Sequence, residues 1–167
     1  SLPGAQPIAV YANPTKDVLY VGHYGSTFIG QYNIDALNGT LSSQGLVAVG
    51  TAPRAIVLHP DPATPFAYVV NEASQNVIQL SVSGTGPLSN PALPPKSVNL
   101  TRRDIRIDPS GSSLYVVNSG SNDMSVFSIN PGTGVLAAVP VAHKVSTRTT
   151  PYAMAFKKNA SPLTYKA

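Results

Sequence analysis

The chain has 167 residues, no cysteine, a charged fraction of 11% and a net charge of +4. That length is enough for one domain with a sizeable core, and the absence of cysteine removes disulfides, thiol catalysis and thiolate metal ligands together. Lysine and arginine are scattered, with pairs only at Arg102-Arg103 and Lys157-Lys158; without a basic stripe interleaved with aromatics, no nucleic-acid partner is expected.

The predicted elements follow a repeat in chain order. Residues 7–34 read PIAVYANPTKDVLYVGHYGSTFIGQYNI, with an Asn13-Pro14 turn inside and Asn38-Gly39 just after. Residues 53–82 read PRAIVLHPDPATPFAYVVNEASQNVIQLSV. This second copy shows four strand-like runs at 55–58, 67–71, 77–82 and 97–100, rich in Val, Ile, Leu and Tyr and bounded by turn residues. Its turns carry Asp61-Pro62 and Gly84-Thr85-Gly86. Residues 102–129 repeat the pattern, with Asp108-Pro109-Ser110-Gly111 and then Gly132-Thr133-Gly134. Proline presets φ, Asp and Asn bond their own backbone, and glycine allows positive φ, so these are turn positions on physical grounds. A fourth copy opens at Pro151 with PYAMAF and breaks off, although 161–165 look like the approach to another strand.

The register is tight. Tyr20, Tyr68 and Tyr115 head equivalent Tyr-Val pairs, spaced 48 and 47 residues apart. Ile34, Val82 and Ile129 each follow their tyrosine by 14 residues. No segment sustains a helical period. Four short strands per ~48 residues are the signature of a propeller blade, so the fold expected is all-β, with four-stranded antiparallel blades in a partial propeller of about 3.3 repeats. The blades are expected at 1–52, 53–101 and 102–150, with a truncated start at 151–167, all within one propeller domain. Three blades alone leave sheet faces open. The chain is therefore expected either to be a fragment whose remaining blades complete a ring, or to self-associate as a half-ring.

These repeats resemble the YVTN-type repeats of the lactonase-like seven-bladed propellers. The carriers are Tyr20-Val21, Tyr68-Val69-Val70-Asn71 and Tyr115-Val116-Val117-Asn118, each preceded by an Asn-Pro, His-Pro or Asp-Pro turn. The resemblance covers nearly the whole chain. It implies a ring of about seven blades and, where the catalytic set is complete, hydrolysis of a sugar lactone.

Because strands alternate in direction, the loops after the second and fourth strands of each blade share one rim. Loops on a rigid scaffold are where binding residues concentrate. Arg54 and Glu72 are 18 residues apart yet expected on that same rim. A guanidinium can clamp a carboxylate bidentately, and a carboxylate can act as general base. By resemblance, Arg54 and Glu72 match the substrate-binding or catalytic arginine and glutamate of the lactonases. Other members of that set are replaced. Ala55 stands where His is common, Asn118-Ser119-Gly120 where Asn-Arg-Gly is common, and Ile8-Ala9 where a blade commonly supplies His.

His23, Asn71, Arg103 and Asn118 are further candidate ligand-binding residues of the rim. His59 falls on the opposite rim and His143 in a long connection. No two histidines are spaced as metal ligands, and neither a phosphate-cradling loop nor a nucleophile elbow occurs. No metal or cofactor is expected.

The incomplete catalytic set makes a non-catalytic binding or scaffold module for a protein, glycan or small ligand the first expectation, with a lactonase-like hydrolase as the alternative. The polar, weakly charged composition suits a secreted, extracellular or periplasmic protein. No run approaches ~18 apolar residues, so no transmembrane helix is expected, and no signal-peptide pattern is present. Asn38, Asn99 and Asn159 begin N-glycosylation triplets, which arise by chance in a chain this rich in Asn, Ser and Thr.

Overall fold

The computed structural model describes residues 6–98, 102–139, 144–147, 151 and 153–156. The expectations for Asn99, Leu100, His143, Lys157, Lys158, Asn159 and residues 161–165 fall outside them, as do the side chains of Arg102 and Arg103. The described residues are all-β. No helix among them is long and apolar enough to cross a membrane.

Blade 1 is a meander of β1 (Gln6–Ala12), β2 (Val18–Tyr24), β3 (Phe28–Ile34) and β4 (Leu41–Ala48) in the order β1-β2-β3-β4. Blade 2 has β5 (Pro53–Leu58), β6 (Phe66–Asn71) and β7 (Asn76–Val82), with an outer strand in two pieces, β8 (Leu88–Ser89) and β9 (Lys96–Ser97), both paired to β7. Blade 3 repeats this with β10 (Arg102–Ile107), β11 (Ser113–Asn118), β12 (Asp123–Ile129), β13 (Leu136–Ala138) and β14 (Lys144–Ser146). The single outer strand expected at 97–100 is thus corrected. Pro91, Pro94 and Pro95 lack the N–H that a continuous ladder needs, so the edge strand divides around them.

The inner strands β1, β5 and β10 lie side by side. Successive side chains of a strand point to opposite faces, and in blade 2 both faces are buried. Ile56, Leu58, Ala67, Val69 and Leu80 pack against blade 1. Val57, Tyr68, Val70 and Val77 pack against blade 3. The core therefore consists of two seams between blades.

The repeated tyrosine fastens these seams. The Tyr20 hydroxyl donates to the Gly86 carbonyl at 2.5 Å, and the Tyr68 hydroxyl to the Gly134 carbonyl at 2.7 Å, each spanning 66 residues. A glutamine stands opposite each tyrosine on the next strand, at Gln31 and Gln79. Gln31 exchanges two hydrogen bonds with the backbone of Leu88, and Gln79 donates to the Thr133 carbonyl at 2.9 Å. In blade 3, Tyr115 faces forward and Val126 replaces the glutamine. Phe156, from the start of the fourth repeat, packs edge-on against Tyr115 at 5.2 Å, and the Met154 N–H donates to Asp104 at 3.1 Å.

Candidate functional site at the rim between blades 1 and 2

Each inner strand carries a β-bulge near its start. The register slips between Pro7 and Ala9, between Pro53 and Ala55, and between Arg102 and Asp104. The extra residues are Ile8, Arg54 and Arg103, at equivalent places in the repeat. A bulge re-aims a side chain, which makes these positions suited to a site. In blade 2 the re-aimed residue is Arg54, and its Nη1 lies 3.7 Å from Oε2 of Glu72. The sequence placed the two on one rim, and the structure brings them together. Their side chains are 28% and 25% exposed, half-sheltered and open to a solute.

The backbone around the pair is stitched across the seam. Ala52 is buried with φ +58, its N–H donates to the Ser26 carbonyl at 3.0 Å, and its carbonyl accepts the Glu72 N–H at 2.8 Å. Thr51 accepts from the N–H groups of Ala73 and Ser74 and donates to the Ser74 hydroxyl. The loop entering Arg54 and the loop carrying Glu72 therefore form one hydrogen-bonded unit.

The other rim candidates sit differently. Asn71 is fully buried, and its amide donates to the Val49 carbonyl at 3.0 Å and to Asn76 Oδ1 at 2.9 Å. Asn118 is also fully buried and donates to Asp123 and Ser125. Both amide nitrogens brace the rim loops instead of presenting to a solute. His23 lies one residue before the end of β2, at the register of Asn71, with its Nδ1 buried and without a hydrogen-bond partner among the described residues. Arg103 holds the blade-3 bulge. His59 lies on the opposite rim as expected, but it links blades. Its Nε2 faces the Gly111 carbonyl at 3.0 Å, and a carbonyl can only accept, so that nitrogen carries the proton and Nδ1 accepts from Asp61 N–H.

A cleft of about 380 Å³ also lies on that opposite rim, between Asn13, Leu58, Pro60, Pro65 and Phe66. It is apart from Arg54 and Glu72. The charged pair is the better candidate because it unites an anion-holding group with a carboxylate on re-aimed backbone, whereas the cleft wall mixes Lys16, His59 and Asp61 with Leu58, Phe66, Val82 and prolines, and its His59 is already bonded to Gly111 and Asp61. Among the described residues no three metal-ligating side chains converge.

Known proteins extend the picture. The chain is 29% identical over 150 residues to a 6-phosphogluconolactonase of Bacillus subtilis, a match spanning 85% of this chain and 42% of that protein. A putative 6-phosphogluconolactonase of Bacteroides fragilis superposes with TM-score 0.78 at 20% identity, covering 90% of this chain and 42% of the other. A periplasmic gluconolactonase of Pseudomonas aeruginosa superposes with TM-score 0.76 at 19% identity, covering 92% and 43%. The chain thus spans less than half the length of these relatives. Their names correct the first expectation of a non-catalytic module, which rested on the incomplete catalytic set and the weakly charged composition: the relatives are named as lactonases, as the alternative had it. The family model described as lactonase, 7-bladed beta-propeller, matches residues 3–164, and the chain belongs to that family.

Proposed function

We propose that this chain is part of a lactone-hydrolysing propeller and that the Arg54–Glu72 pair forms the reactive rim of its site. The observation that carries the reading is the 3.7 Å approach of a guanidinium to a carboxylate on bulged, cross-linked backbone, in a chain of the lactonase family. Arg54 would engage a carboxylate or the lactone carbonyl oxygen, where negative charge develops as water attacks. Glu72 would take the proton of the attacking water. The acyl C–O bond of the ring then breaks, and the leaving alkoxide takes up a proton to give the open hydroxy acid. The pair is loose enough for a substrate oxygen to enter between its members, since a half-exposed ion pair is worth only ~0–1 kcal/mol.

The substrate class supported is a sugar lactone. Arg103, at the next bulge, is proposed as a further ligand-binding position. The Ser-, Thr- and Asn-rich, weakly charged composition supports an extracellular or periplasmic location, which cell fractionation of the source organism would test.

The decisive experiment is a gluconolactone hydrolysis assay. Arg54→Ala and Glu72→Ala are each expected to lower kcat/KM by about 100-fold or more while the variants keep the wild-type far-UV dichroism and a cooperative unfolding transition. Wild-type rates in both variants would remove the pair from the reaction.

A further inference from the structure

We infer that Asn71 is a positioning residue, which sets the distance between Arg54 and Glu72 by locking the loop that leaves blade 1 onto the loop that carries Glu72. This rests on the reading of the pair as the site.

Arg54 sits at the start of β5, entered by the loop that leaves blade 1, and Glu72 on the loop after β6, so the backbone of those two loops sets how near the pair can come. Both loops meet at residues 49–52. Arg54 is reached from Ala52 through Pro53, and Glu72 hangs from the Ala52 carbonyl by its own N–H. Asn71, the residue before Glu72, reaches under this segment. Its Nδ2 donates to the Val49 carbonyl on the blade 1 side and to Asn76 Oδ1 across its own loop. Gly50 is shaped around that amide. It holds φ +136, and a Cβ there would stand 2.7 Å from Asn71 Nδ2. The close approach leaves the amide one place to sit. Asn71 is fully buried, so no solvent competes for its two donors.

Asn118 supplies an internal control. It occupies the same register one blade on, is buried to the same degree and braces its own loop through Asp123 and Ser125. Its loop carries Ser119 where Glu72 stands in blade 2. Removing it costs a comparable brace without touching the pair.

The experiment is a double-mutant cycle of Arg54→Ala and Glu72→Ala, read as the non-additive shift in unfolding midpoint. It is run in the wild-type, Asn71→Ala and Asn118→Ala backgrounds. The expected result is coupling that vanishes in the Asn71→Ala background and persists in the Asn118→Ala background. Alongside it, Asn71→Ala lowers kcat for gluconolactone by roughly 10- to 100-fold with KM within about twofold, because a misplaced group loses rate before affinity. Should Asn71→Ala not fold, Asn71→Ser retains one donor and is expected to give a partial loss of coupling. Undiminished coupling in the Asn71 variants overturns the inference. So does equal loss in the Asn118 background, which would make the effect general loosening. If the wild type hydrolyses no lactone, the proposed function fails, while the unfolding cycle still decides what Asn71 does.

Discussion

Tyr20 and Tyr68 show how one residue type can serve both pattern and packing. Each ring fills a seam, and each hydroxyl finds a carbonyl in the next blade. Burial pushes the hydroxyl of Tyr68 well above the ordinary tyrosine value, and it raises Tyr20 despite the opposing hydrogen bond from Asn13. The folded state therefore holds these protons more tightly than the unfolded one. Their contribution to stability is fully present below the unfolded tyrosine value of ~10 and is lost as pH rises through the higher folded value. We expect cooperative alkaline unfolding by circular dichroism, with a fraction of the tyrosinate absorbance appearing only in the same transition. Titration of all eight tyrosines near pH 10 with unchanged dichroism would refute this. The places of Tyr68 in a strand and of Glu72 on the same rim as Arg54 were legible in the sequence. The bracing role of Asn71 was not, because its acceptor Val49 lies 22 residues away on another blade.

Strands and turns carry the next level of information. The glycines of the turn after the third strand, Gly86 and Gly134, hold φ +112 and +66 and stand against the preceding blade. A Cβ at Gly86 would stand 2.6 Å from Val18, and one at Gly134 would run into the Phe66 ring. Gly39 holds the same conformation at φ +72 but faces open space. Alanine at Gly39 is therefore expected to cost about 1–2 kcal/mol for the backbone alone. Alanine at Gly86 or Gly134 is expected to cost more, from overpacking added to that penalty. Chemical unfolding of the three variants measures the difference, and equal costs would show that the seams yield. Sequence spacing found these turns, since Gly, Asn and Asp punctuate chains for local reasons. The divided outer strand of blade 2 escaped it, although Pro91, Pro94 and Pro95 mark the break locally; what they do not mark is where β7 picks up each piece.

At the scale of the whole molecule, blade 1 presents an uncovered face. Val10 is 65% exposed and Leu46 49%, although Ile56, the counterpart of Val10 in blade 2, lines a seam. The same face holds the open Gly39 and lies next to His23, whose Nδ1 occupies the register at which Asn71 meets a carbonyl of the preceding blade. A sheet face of this kind drives association unless another blade covers it. We expect the 167-residue chain to bind an apolar dye and to self-associate in a concentration-dependent way, as read by sedimentation velocity. Val10→Ser with Leu46→Ser should weaken both signals. A double variant that associates as the wild type does would place the sticky surface elsewhere.

The sequence by itself determined the all-β class, the four-strand repeat, its turns and the rim that receives Arg54 and Glu72. Those features are local or periodic: alternation, turn chemistry and a recurring spacing all act within ~48 residues. Tertiary structure alone decided that the repeated tyrosine is a tie between blades, that the bulge re-aims Arg54, and that a buried asparagine holds the rim loops. The tyrosine and the asparagine depend on partners in a neighbouring blade, and the bulge on how β5 registers against β6; no spacing within one repeat records which carbonyl a side chain will meet across a seam.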